Sequence, residues 1–142
     1  MRNIFVDATA WVALFDPKDR NHRKAAEFWS TLKEPSKPIR FSTSDYVLDE
    51  AYTLLKVHVN PKSSLLLHQI VSESALTTVN FVGKKTYDEA WKIFSGYEDK
   101  KWSFTDCTSY ILMKGDRIDE VFAFDDHFRQ MGFIMLPREA EG

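Results

Sequence analysis

Two apolar runs, Ile4-Phe5-Val6 and Val121-Phe122-Ala123-Phe124, are each closed by an aspartate, Asp7 and Asp125. Their apolar residues are consecutive rather than alternating, as expected of strands covered on both faces in a parallel sheet. Helical spacing fills much of the chain between them. Ala8 to Phe15 predicts a short helix stopped before Pro17. Asn21 is placed to cap a helix to about Lys33, with Ala25, Phe28, Trp29 and Leu32 as its apolar stripe. A short strand over Pro38 to Ser42 follows, then a helix capped by Thr43 or Ser44 and running to His58. Pro61 starts the next helix.

Leu76 to Phe81 predicts a strand and Thr86 to Phe94 a helix. Ser95 to Thr105 reads as a loop and Asp106 to Lys114 as a helix. Val121 to Asp125 and Phe133 to Leu136 complete the strands around a short helix bearing Phe128. Strands alternating with helices imply an α/β fold with a mainly parallel sheet. At 142 residues, with 44% hydrophobic content and eleven Phe, residues 1–142 fit one domain with a real core. No apolar stretch approaches the roughly 20 residues of a membrane span, and no secretory leader pattern opens the chain. The single cysteine excludes an intramolecular disulfide and suits a reducing, cytoplasmic setting. The formal net charge of −2 neither supports nor excludes a nucleic-acid partner.

Four acids stand where ordinary surface acids are not expected: Asp7, Glu50, Asp106 and Asp125. In an open parallel sheet, ligands bind beyond the carboxyl ends of the strands, where Asp7 and Asp125 are predicted to lie. At about 100° per residue, Glu50 falls at the rim of the face carrying Val47, Leu48, Ala51 and Leu55, whereas Asp45 and Asp49 point to solvent. Each acid also has an ordinary role open to it. Asp7 can cap a helix, Asp106 can be an N-cap or first-turn acid, Glu50 can reach water, and Asp125 with Asp126 can be turn chemistry.

If the four converge, they need a cation. Two carboxylates about 5 Å apart repel by roughly 3 kcal/mol at an effective dielectric of about 20. Mg²⁺ or Mn²⁺ suits such an all-oxygen site and can activate water against a phosphodiester.

The motifs that carry these acids resemble those of the PIN-domain family, especially its VapC-type toxin nucleases. Phe5-Val6-Asp7-Ala8-Thr9-Ala10-Trp11 is similar to the family's first-strand motif, and Val47-Leu48-Asp49-Glu50-Ala51-Tyr52 to its glutamate-bearing helix. Trp102-Ser103-Phe104-Thr105-Asp106 resembles the third motif, and Phe124-Asp125-Asp126-His127-Phe128 the last. The resemblance implies a three-layer α/β/α fold with a twisted parallel sheet, and Mg²⁺- or Mn²⁺-dependent RNA cleavage. It also implies metal ligands at Asp7, Glu50, Asp106 and Asp125, with Asp126 as an auxiliary candidate. A small antitoxin partner and a homodimer are further implications. Ala10 departs from the family, where Ser is common; Thr9 can partly substitute.

Thr9, Ser103, Thr105 and Ser109 are candidates to orient the acids. Lys18, Arg20, Arg23, Lys100 and Lys101 are candidate RNA contacts, with a solvated surface as the plain alternative. His127 beside two acids suggests a mixed metal site, against the simpler view that a short helix exposes its ring. Cys107 reads as a packing residue. Two other functions compete with a toxin ribonuclease: a non-catalytic RNA- or protein-binding module of the same fold, and a housekeeping RNA-processing nuclease. A phosphoryl-transfer or receiver domain ranks last, because the first strand lacks the second acid those folds need.

Overall fold

The computed structural model describes residues 1–139; the last three residues of the expected domain lie outside them. Five strands are present among the described residues: β1 (Arg2–Val6), β2 (Ile39–Ser44), β3 (Thr77–Asn80), β4 (Glu120–Phe122) and β5 (Ile134–Leu136). They form one sheet in the order β3-β2-β1-β4-β5, and all four pairings are parallel. The helices are α1 (Ala8–Phe15), α2 (His22–Thr31), α3 (Asp45–His58), α4 (Pro61–Glu73), α5 (Lys84–Gly96), α6 (Phe104–Gly115) and α7 (His127–Gln130).

From β1 the chain steps outward through β2 to β3, then returns past β1 to β4 and β5. Right-handed crossovers in opposite directions put their helices on opposite faces. Accordingly α1 to α4 pack among themselves, while α5 packs on α6 and α6 on α7. The result is a three-layer α/β/α fold. Ile4, Phe5, Val6, Val121 and Phe122 are completely buried, as a sheet covered on both faces requires. Trp29 of α2 stacks on Phe41, and Phe28 meets Phe122 edge to face. Trp11 of α1 donates its indole N–H to Thr43 Oγ1, which itself donates to the Val6 carbonyl. The indole and the hydroxyl buried between β1, β2 and α1 are thereby both satisfied.

Several boundaries differ from the sequence reading. β2 extends to Ser44, because Thr43 and Ser44 pair with Val79 and Asn80 of β3. β4 stops at Phe122, three residues before Asp125. Its neighbour β1 turns into α1 after Val6, so the ladder ends with the Asp7 N–H donating to the Phe122 carbonyl. Helix α6 starts at Phe104 rather than Asp106. Ser103 and Asp106 form a capping box, each accepting the other's backbone N–H, so Asp106 occupies the third helical position. Asn21 precedes α2 but makes no side-chain cap. Asp45 is not simply solvent-facing: its carboxylate accepts the Val82 N–H and ties α3 to the segment after β3.

Candidate metal centre

The strand order reverses between β1 and β4, and their carboxyl ends flank the crevice where parallel sheets bind ligands. Asp7 follows β1 and caps α1. Its Oδ2 accepts the Thr9 N–H at 3.2 Å and the Thr9 hydroxyl at 2.7 Å. The same hydroxyl accepts the Phe124 N–H at 3.1 Å. Thr9 therefore ties the first acidic motif to the last.

Asp106 is held in the same manner. Its Oδ2 accepts the Ser103 N–H at 2.9 Å and lies 2.7 Å from His127 Nδ1. Asp125 Oδ1 accepts the His127 N–H at 3.1 Å, with the ring nitrogen 3.7 Å away. Each of the three aspartates thus has one oxygen tied to the scaffold. Among the described residues no hydrogen bond reaches the other oxygen of any of them. The ordinary capping roles and a ligand role are compatible, because they use different oxygens.

The electrostatics shows how closely these groups sit. Burial pushes the Asp7 carboxyl up to about 7, helped by the charges of Asp125 and Asp106 and opposed by the Thr9 bonds. Asp125 is raised by burial and then by Asp106, against the opposing effect of His127. Glu50 is exposed on α3, yet partial desolvation and the fields of Asp106 and Asp125 raise it too. Asp7 and Glu50 therefore lie in the field of Asp106 and Asp125, while Asp106, Asp125 and His127 are the group whose ligand atoms come together.

This region fits a hard divalent cation. The donors are carboxylate oxygens, and one oxygen each of Asp106 and Asp125 and a nitrogen of His127 lie within 4.8 Å of one another. Ser109, three residues beyond Asp106 on α6, carries the one buried side-chain polar atom without a hydrogen-bond partner among the described residues.

The remaining candidates separate clearly. Asp126 is not brought into the cluster; its exposed carboxylate pairs with Arg129. The Thr105 hydroxyl makes no bond to Asp106; its carbonyl accepts from Thr108. Cys107 is buried with its thiol pushed up to about 11 by desolvation and by Asp106, which rules against a thiolate nucleophile. Arg20 lines a cleft with Thr9 and Glu50. Lys100 and Lys101 line another with His127. Lys18 is exposed and lines neither, and Arg23 pairs with Glu27.

His127 is the residue that sequence reasoning undervalued. Its ring is not simply exposed but bridges Asp106 and Asp125. The signal was the spacing of His127 two residues after Asp125, which lets one residue reach that acid through its backbone and another acid through its ring. His127→Ala is expected to weaken Mn²⁺ binding by about 10- to 100-fold, as loss of a ligand-orienting partner does. Calorimetric titration of the intact protein reads this directly, and unchanged affinity would remove His127 from the site.

A PIN-domain family model matches residues 4–134. The chain belongs to the PIN-domain family. Relatives within it include the 23S rRNA-specific endonuclease VapC20 of two Mycobacterium tuberculosis strains. Each is 31% identical over 136 residues, covering 96% of this chain and 99% of the relative. The crystal structure of Mycobacterium tuberculosis VapC20, described as a sarcin-ricin loop cleaving toxin, superposes with a TM-score of 0.83. It is 30% identical and covers 92% of this chain and 96% of its own. The chain is a VapC-type PIN domain. Among the described residues no helix is long and apolar enough to cross a membrane.

Proposed function

We propose that this PIN domain, taken as one unit over residues 1–142, is a Mg²⁺- or Mn²⁺-dependent endoribonuclease and the toxin of a type II toxin–antitoxin pair. The observation that carries the reading is the set of three aspartates at the β1/β4 crevice, each anchored through one oxygen and free at the other. Asp7, Glu50, Asp106 and Asp125 are the proposed ligands, with Asp7, Asp106 and Asp125 presenting their free oxygens. A cation held there supplies the charge that activates water and steadies the phosphoryl oxygens of an RNA phosphodiester.

The protein's own residues supply placement. Thr9 fixes Asp7 against the Phe124 backbone, Ser103 holds Asp106, and His127 sets the distance between Asp106 and Asp125. Such preorganisation spares the site from rearranging when charge develops. The relatives' activity on 23S rRNA supports a structured ribosomal RNA loop as substrate. A small antitoxin and self-association are proposed with it, supported by exposed apolar side chains such as Trp91 and Phe81. A cytoplasmic setting agrees with an unpaired, buried cysteine.

The test is cleavage of an RNA stem-loop carrying the sarcin-ricin sequence, incubated with Mg²⁺, Mn²⁺ or excess EDTA. Cleavage is expected with either cation and absent in EDTA. Cleavage that persists in EDTA defeats the metal-dependent reading. RNA that is bound yet stays whole with both cations identifies a binding module instead.

A further inference from the structure

A trough of about 730 Å³ runs beside the acidic centre, between α2 and the segments that follow β4 and β5. Arg20, Lys24 and Phe28 line one wall; Phe124, Pro137 and Arg138 line the other. The cleft that holds Glu50 and Thr9 shares Arg20, Asn21 and Phe124 with this trough, so the two adjoin. Phe124 also donates its N–H to Thr9, which places the junction within one hydrogen bond of the side chain that fixes Asp7.

Among the described residues the charge of the trough is not fully balanced. Glu27 pairs with Arg23, and Asp126 with Arg129. Arg20, Lys24 and Arg138 are not buried and have no ion-pair or side-chain hydrogen-bond partner among the described residues. Glu139 is the remaining acid on its lining. Arg138 also lies in the field of Glu120. With Arg20, Lys24 and Arg138 set against Glu139, the trough keeps a net positive charge beside Phe28, Phe124 and Pro137, which suits a strand that is anionic along its backbone and flat at its bases.

We propose that this trough binds the single-stranded flank of the RNA substrate on one side of the cleaved bond. Arg20, Lys24 and Arg138 contact phosphates there, and Phe124 offers a face to the base nearest the metal centre. The proposal rests on the ribonuclease reading above but concerns binding rather than cleavage.

The test uses the full chain in EDTA, so that RNA stays uncut, and a fluorescent single-stranded oligoribonucleotide read by anisotropy across a salt series. The variant Arg20→Gln/Lys24→Gln/Arg138→Gln is compared with Lys56→Gln/Lys62→Gln/Lys92→Gln, which removes the same charge from other exposed positions. The trough variant is expected to bind at least tenfold more weakly. Its log–log salt slope should be shallower by about 2, at about 0.7 for each phosphate of a single strand that is no longer neutralised. The comparison variant should stay within about twofold of wild type.

Equal weakening in both variants, or none in either, overturns the proposal. So does a trough variant that keeps its RNA affinity but loses a co-expressed protein partner. Failure of the ribonuclease reading shows differently, as wild-type protein that binds RNA through the trough yet cuts none with Mg²⁺ or Mn²⁺.

Discussion

Asp7→Asn is expected to lower divalent-dependent RNA cleavage by about 10³-fold or more while raising the thermal stability of the metal-free protein. Asparagine keeps an oxygen that can accept the Thr9 N–H and hydroxyl, so the cap on α1 survives. What disappears is a negative charge that is 3% exposed and pressed by Asp106 and Asp125. A cation site that loses one of its anchored carboxylates gives up several kcal/mol of charge stabilisation, and about 4 kcal/mol is a factor of about 10³ in rate. The opposite signs of the two effects separate this outcome from simple unfolding. Wild-type cleavage in Asp7→Asn, with metal affinity unaltered, would remove Asp7 from the site.

The second large effect is a pH dependence of stability in the absence of metal. The folded Asp7 carboxyl titrates at about 7 and the unfolded one near 3.8. The folded state therefore holds its proton more tightly, and the associated stability is complete below about pH 4 and lost as pH rises through about 7. The shift corresponds to on the order of 4 kcal/mol. Asp125 and Glu50 are raised as well and act in the same direction. In EDTA the melting temperature should fall between pH 5 and pH 8, and Asp7→Asn should flatten much of that fall. At pH 8, Mn²⁺ at about 100 times its Kd should restore roughly 2.7 kcal/mol. A metal-free protein whose melting temperature is level across this range would contradict the crowded-carboxylate description.

Much of the site was legible in the sequence. Consecutive apolar residues in Ile4-Phe5-Val6 identified a strand covered on both sides, and placed the aspartate after it at the strand's carboxyl end. Helical spacing separated Glu50 from Asp45 and Asp49 because a step of about 100° per residue turns it at least about 100° away from both, although Asp45 is the partly buried one of the three. The capping box at Ser103 is also readable, as Ser-x-x-Asp. Starting the helix at Asp106 overlooks it, and the two-residue difference at the start of α6 follows from that.

Other features could not be read from local pattern. The end of β4 at Phe122 depends on where β1 stops offering hydrogen bonds, which is a property of the pair. The role of His127 depends on Asp106, 21 residues away, coming within 2.7 Å of its ring. Lys24 and Arg138 come from distant parts of the chain and have no sequence signature as one surface. Asp126 is adjacent to Asp125 in sequence, yet the turn into α7 sends it to Arg129 and the solvent.

From its sequence alone this protein had a determined class of fold and a short set of acids able to hold a cation, because burial and helix periodicity act over a few residues. Only the tertiary structure decided that β1 and β4 are neighbours, that each aspartate is tied through one oxygen, and that His127 joins two of them. Those are outcomes of strand order and of hydrogen bonds between distant segments, and distances between such segments are set by the packed sheet rather than by any stretch of chain.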